Sequence, residues 1–261
     1  MTYFGFLFFF LCIPLLAMSW TTFIDQRSHQ NAPLSASPRA VCLAIGLHLI
    51  LALVYTTPWD NYLVATGVWF YNPRLVTGLV IGWVPIEEYT FFVLQTLLSG
   101  LWWWFLARRV WPAKSSFQPA VRFRLAALPA PVLLCLASLV LLILSFKPAT
   151  YLALECIWAL PPIIIQLIFG ADILWQHRGL VVLTILPLTL YLSLADALAI
   201  SSGTWVIARG QSLNVFIGAL PLEELVFFLL TNTLIAFGIT LLLAPESRVR
   251  AAEIRKWFVR N

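Results

Sequence analysis

Charge is scarce in this chain. Of its 261 residues, 10% are charged and 61% are hydrophobic, whereas a soluble domain carries about a quarter charged residues. That excludes an ordinary soluble domain and leaves an integral membrane protein with little mass outside the bilayer. Basic residues outnumber acidic ones, sixteen to eleven. They fall in short loops and the tail rather than on a folded basic surface, so nucleic acid is not an expected partner. Cysteine is sparse as well. Cys12, Cys42, Cys135 and Cys156 all sit in apolar runs without a C-x-x-C pair and read as packing residues. G-x-G-x-x-G is missing, which removes the support for a dinucleotide fold. No His/Cys/Asp cluster has metal-ligand spacing, so neither metal nor cofactor is expected. No D-D-x-x-D-like pair is present to hold magnesium diphosphate, which weighs against a prenyltransferase. The run from Met1 to Met18 lacks a basic n-region and a clear cleavage site, and is expected to be a retained first span.

What the chain does contain is one pattern written twice. Residues 85–92 read P-I-E-E-Y-T-F-F and residues 221–228 read P-L-E-E-L-V-F-F, 136 positions apart. The same offset joins Tyr55 with Tyr191, Asp60 with Asp196, Gly67 with Gly203, Trp69 with Trp205 and Gly82 with Gly218. Carboxylates at membrane depth are costly and usually carry a function or a partner.

A membrane-spanning helix needs about 20 apolar residues. Seven candidates appear, at 2–20, 40–57, 78–106, 125–145, 150–170, 180–199 and 213–243. The third and seventh are too long for a plain crossing. Each is either a tilted helix kinked at its proline or a short segment followed by a helix that starts there, where proline is well suited. The glutamates would then sit near the positive end of the helix dipole. Thirteen basic residues lie on one side: Arg27, Arg39, Arg108, Arg109, Lys114, Arg122, Arg124, Arg178, Arg248, Arg250, Arg255, Lys256 and Arg260. Only Arg74, Lys147 and Arg209 lie on the other. This bias places the N-terminus outside and the C-terminus in the cytoplasm of a multi-pass cell-membrane protein. Span one matches span five at an offset of 148, through Tyr3 with Tyr151, Pro14 with Pro162 and His29 with His177. The expected fold is all-α, with seven transmembrane helices in a 3+1+3 parallel repeat. Residues 1–110 form the first three-helix repeat, 111–148 the linker with the fourth helix, and 149–261 the second repeat with a basic tail.

Helical spacing puts Glu88, Phe92 and Gln95 on one face, as it does Glu224, Phe228 and Thr231. Glu87 lies about 100° round, above Phe91. Two carboxyls side by side in an apolar site favour one neutral acid beside one carboxylate, a pairing suited to acid and base work. The alternative is a pair of helix-start residues that cap backbone N–H groups, or that pair with Arg74 and Arg209. Asp60 and Asp196 are candidate supports or turn residues. Trp69 and Trp205 are interface anchors or pocket walls. His48 reads as a packed, hydrogen-bonded histidine, and Glu155 as a further carboxyl near the same end.

On these motifs the chain resembles the integral-membrane lycopene cyclases formed by fusing the two small subunits of the bacterial heterodimeric enzyme. It is similar to the cyclase domain of the fungal bifunctional carotenoid proteins too, but carries no phytoene synthase extension. The resemblance rests on Pro85, Glu87, Glu88, Phe91 and Phe92, and on Pro221, Glu223, Glu224, Phe227 and Phe228. It implies a redox-neutral isomerase that needs no cofactor, with a hydrophobic C40 carotenoid in the bilayer as substrate and other carotenoid-pathway membrane enzymes as possible partners. A proton delivered to the terminal C1=C2 bond leaves a cation at C1, which the C5=C6 bond attacks to close a ring. Proton loss from C6 gives a β-ring and from C4 an ε-ring. Glu87, Glu88, Glu223 and Glu224 are the implied catalytic groups. Phe91, Phe92, Phe227, Phe228, Trp83, Trp69 and Trp205 would offer ring faces to the cation, worth about 2 kcal/mol each when desolvated, with Gln95 in the substrate site. The rival readings are a small-solute transporter of the 3+1+3 plan and a sister cyclase that makes ε-rings or acts on C50 carotenoids.

Overall fold

The structure, a computed structural model, describes residues 1–27, 37–110 and 117–260. Among them, seven helices are long and apolar enough to cross a membrane. The first span joins α1 (Tyr3–Leu7), a π-helical stretch (Phe8–Cys12) and α2 (Ile13–Arg27). The others are α3 (Pro38–Ala65), α4 (Ile86–Val110), α5 with α6 (Val121–Ala126, Pro129–Ile143), α7 (Thr150–Gln176), α8 (Arg178–Ser201) and α9 (Leu222–Leu243). A final helix, α10 (Pro245–Arg260), is polar. His29 and Lys114 lie outside the described residues.

The third and seventh spans are shorter than 78–106 and 213–243, because each long apolar run is divided. A two-residue hairpin, β2 (Val80–Ile81) with β3 (Val84–Pro85), comes before α4. The pair β5 (Phe216–Ile217) and β6 (Leu220–Pro221) comes before α9. Gly82 and Gly218 turn these hairpins with φ of 69° and 65°, a region that only glycine enters freely. Each proline closes its hairpin and hands the chain to the helix, so neither helix is kinked by it. Ile86 N–H donates to Leu79 O at 2.9 Å, and Leu222 N–H to Val215 O at 2.8 Å.

A further strand pair ties the two hairpin regions together. β1 (Trp69–Tyr71) runs antiparallel to β4 (Trp205–Ile207) with Phe70 opposite Val206, Trp69 opposite Ile207 and Tyr71 opposite Trp205. The N-terminus joins the same end of the bundle. Tyr3 N–H donates to Leu75 O at 2.8 Å, and Thr204 Oγ1–H to Met1 O at 2.7 Å.

α4 and α9 occupy the middle of the bundle and bury most of their length. Their contact is polar as well as apolar: Gln95 donates to Thr231 Oγ1 at 2.9 Å, Ser99 to Asn232 at 2.8 Å and Trp103 to Thr240 at 2.8 Å. Lipid cannot replace such bonds, so they pin the register of the two helices. The helix pair α5–α6 is peripheral, with Ser138 its one buried residue. At the opposite end from the hairpins, Arg250 of α10 donates two N–H bonds to Asp172 of α7, at 2.8 and 2.7 Å.

Two outcomes follow from these contacts. A Cβ on Gly82 would stand 2.2 Å from Asn61 Oδ1, whereas one on Gly218 or Gly179 meets nothing within 4 Å. Gly82→Ala should lower the thermal midpoint of the detergent-solubilised protein most, Gly218→Ala less and helical Gly179→Ala not at all. The positive φ alone costs about 1 kcal/mol or more. Arg250→Ala removes two charge-assisted bonds from Asp172, which keeps the Ala120 N–H and Arg124 at 3.9 Å, and should destabilise the protein by about 2 kcal/mol, read in the same melts.

Candidate active site

The two glutamates of each motif do different things. Glu87 accepts the Thr77 N–H at 2.6 Å, and Glu223 accepts the Leu213 N–H at 2.6 Å. Both are fully buried. Each anchors the loop in front of its own hairpin, at positions 136 apart. Within each motif one carboxyl oxygen of the first glutamate is thus held by a loop N–H, while its second oxygen is buried without a hydrogen-bond partner among the described residues.

Glu88 and Glu224, one position on, turn inward instead. Both line one narrow chamber of about 20 Å³, together with Asp196, Trp69, Trp205, Phe91 and Phe228. Tyr3 donates its hydroxyl to Glu88 Oε2 at 2.5 Å, and Tyr71 donates to the same oxygen at 2.9 Å. Tyr151 donates to Glu224 Oε1 at 2.8 Å. Tyr71 sits on β1, outside the spans. Burial, then the carboxyls of Asp60 and Glu88, push its phenol pKa well above the usual value, so it stays a protonated donor. Tyr3 and Tyr151 are equivalent at the 148 offset, but Tyr71 corresponds to Ile207, so Glu88 receives two phenols and Glu224 one.

The aspartates surround this pair. Asp196 Oδ1 accepts the Trp205 indole N–H at 3.0 Å. Asp60 is fully buried, and neither of its oxygens has a partner among the described residues. A buried carboxyl without a donor is cheapest as the neutral acid. Glu155 is buried one turn along α7 from Tyr151. His48 behaves as a packed histidine, with Nδ1 held 2.8 Å from Ala44 O.

Of the expected aromatic walls, Phe91, Phe227, Phe228, Trp69 and Trp205 reach the chamber. Phe92 and Gln95 line a neighbouring cavity. Trp83 does not join them: it lies at the hairpin turn and is 67% exposed. Arg74 and Arg209 are exposed and form no ion pair with the glutamates among the described residues. Residue spacing alone missed the phenols of Tyr3, Tyr71 and Tyr151, although the Tyr3–Tyr151 match was visible. It missed Trp59 and Trp158 too, whose rings stack on each other at 4.6 Å and lie 6.0 and 6.1 Å from Phe227.

Set against known proteins, the chain is 39% identical over 204 residues to "Lycopene beta-cyclase" of Halobacterium salinarum, covering 78% of this chain and 83% of that one. It is 38% identical over 195 residues to "Bifunctional lycopene cyclase/phytoene synthase" of Sporisorium reilianum, covering 71% of this chain and 28% of that protein. The protein of the same description from Podospora anserina is 36% identical over 203 residues, covering 75% and 34%. No family model matches the chain, and no solved structure does. At this identity and coverage, the chain belongs to the lycopene beta-cyclase family.

Proposed function

We propose that this chain is an isomerase of carotenoid biosynthesis that closes the linear ends of lycopene into β-rings, in one chamber shared by its two halves. The observation that carries this reading is the convergence of Glu88 and Glu224 on one chamber walled by aromatic rings. The relatives' names favour a cyclase over a solute transporter.

The two carboxyls are assigned opposite roles. Glu88 accepts two phenol O–H bonds on one oxygen, and such bonds stabilise the anion. It serves as the base. Glu224 accepts one phenol and serves as the neutral acid. Its proton passes to C2 of the terminal C1=C2 bond, leaving a cation at C1. The C5=C6 π-electrons form the C1–C6 bond and shift the cation to C5. Glu88 removes the C6 proton, whose C–H electrons become the new C5=C6 bond, so no net proton or electron is consumed. The proton returns from Glu88 to Glu224 before the next cycle. Phe91, Phe227, Phe228, Trp69 and Trp205 hold ring faces near the cation and exclude the water that would trap it. Glu87 and Glu223 act by holding the loops that position their neighbours.

The frame of this site is a 3+1+3 parallel repeat, with residues 1–110 and 149–261 as the halves and 111–148 as the linker. Three observations support it. Gln95 bonds Thr231, its own counterpart at the 136 offset. The β1–β4 register is self-complementary about Phe70 and Val206, as a local two-fold requires. Tyr55 O–H bonds Trp158 O while Tyr191 O–H bonds Phe10 O, joining the 136 and 148 offsets in one equivalence. The basic bias orients the N-terminus and chamber outward and the C-terminus toward the cytoplasm.

Expression in cells that accumulate lycopene, with pigments separated by chromatography, tests the reading. The wild-type chain should convert lycopene to one-ring and then two-ring product; unchanged lycopene despite verified insertion would sink the proposal. Glu88→Gln and Glu224→Gln should each cut the rate by about a hundredfold or more. Each retaining half the activity would instead mean two independent sites. Glu87→Gln and Glu223→Gln keep an acceptor for the loop N–H, and should retain activity within about tenfold of wild type while lowering the melting temperature.

A further inference from the structure

A cavity of about 330 Å³ lies beside the carboxylate chamber, in the size range of sites for small ligands. Phe227 lines both spaces. Three of the cavity's lining residues face outward from the bundle: Leu51 and Tyr55 on α3, and Ile165 on α7, exposed by 51%, 45% and 67%. Within membrane spans that exposure is to lipid, so the cavity opens sideways between α3 and α7. Toward the hairpin end the two helices are clasped. Tyr55 O–H bonds Trp158 O at 2.8 Å, and Trp59 Nε1–H bonds Leu154 O at 3.0 Å. Pro161 and Pro162 place a bend-prone stretch of α7 along the opening.

The inner wall is a cluster of three near-parallel rings, Trp59, Trp158 and Phe227. Trp59 is nearly parallel to Phe227, at 3°, and Trp158 lies at 22° to it. The counterpart positions hold no such cluster. At the repeat offsets Ala195 stands for Trp59 and Phe10 for Trp158. Leu188 and Leu192, both buried, stand for Ala52 and Thr56 of the cavity wall. The pseudo-symmetric space is thus filled by larger side chains.

We infer that this cavity holds the uncyclised polyene chain of the substrate, which enters sideways from the bilayer between α3 and α7 and passes one end to the carboxylates beyond Trp59, Trp158 and Phe227. The inference rests on the cyclase reading above. The cavity suits a hydrocarbon without a headgroup: its mouth opens at the level of the acyl chains, and the clasps close it toward the nearer membrane surface, where a phospholipid headgroup would have to sit. The chamber, at about 20 Å³, admits an end group only when Phe227 swings aside. The cavity takes only part of a C40 chain, so the remainder stays in lipid along α3 and α7. With the mouth on one side, the two ends of the substrate are treated in turn: the one-ring product leaves, reverses and re-enters.

The test uses the full chain in lycopene-loaded liposomes, with initial rates measured against lycopene content. Ala52→Leu installs the residue of the filled half and should lower kcat/KM at least tenfold. Ile165→Trp, at a lipid-exposed position that folding tolerates, should raise KM severalfold with kcat held. Ala17→Leu, exposed on α2, should match wild type. Wild-type kinetics in both Ala52→Leu and Ile165→Trp would overturn the inference and leave the cyclase reading intact. Absence of β-rings from the wild-type chain would overturn the cyclase reading itself. One-ring product should build up in the lipid before two-ring product. Two-ring product formed from the first turnover, with no free one-ring product, would overturn the single-mouth route.

Discussion

Burying carboxyl groups in an apolar bundle is the constraint on which the rest of this structure depends. Glu87, Glu88, Asp60, Glu155, Asp196, Glu223 and Glu224 are all buried, and each must find a donor or carry a proton. The hairpin regions exist in part to supply donors. Their loops give backbone N–H groups to Glu87 and Glu223. β1 carries Tyr71 to Glu88 and β4 carries Trp205 to Asp196. Non-helical backbone at the edge of a membrane bundle is tolerated where protein satisfies it, and here loop and carboxyl satisfy one another.

Doubling the motif solves a packing problem and a chemical one together. Two glutamates in sequence cannot both face one point, because a helix turns about 100° per residue. The first of each pair therefore goes to the loop, and the second to the interior. The opposing carboxyl for Glu88 comes from the second motif, where α9 brings Glu224 to the same chamber. A proton donor and acceptor on opposite walls suit a reaction that adds a proton at one carbon and removes it at another. The surroundings of the two motifs are not identical. Tyr71 faces Glu88 where the 136 offset gives Ile207, and Trp59 lies 6.0 Å from Phe227 where it gives Ala195.

The membrane class, the spans and the doubled motif were legible in the sequence, because bilayer thickness and the cost of buried charge act on composition and spacing directly. The 136 offset picked out Glu88 with Glu224, Asp60 with Asp196 and Trp69 with Trp205, and all but Asp60 line the chamber. A division of spans three and seven at the proline was one of two readings the sequence left open, but the hairpin that makes it was not legible in advance. A hairpin such as Val80–Pro85 is as apolar as the helix that follows, and Gly82 inside an apolar run does not announce a turn. Trp83 shared the motif's neighbourhood but ended outside, since a hairpin turn directs its side chains away from the helix face that extrapolation assumes.

By itself the sequence determined that the chain has seven stretches long and apolar enough to cross a membrane, and that it carries two Pro-x-Glu-Glu motifs. Those facts follow from local hydrophobicity and from repeated spacing, which need no knowledge of packing. Only the tertiary structure decided which glutamate of each pair faces inward, which phenols reach it, and which residues line the neighbouring cavity. Those outcomes depend on where Tyr3 and Tyr151, distant in the chain from their carboxyl partners, are delivered by helices packing across the bundle, and on where β1 delivers Tyr71. They depend equally on whether Ala52 or its counterpart Leu188 fills the space between two helices. Such contacts are set by side-chain volume and reach in three dimensions, and one-dimensional spacing does not encode them.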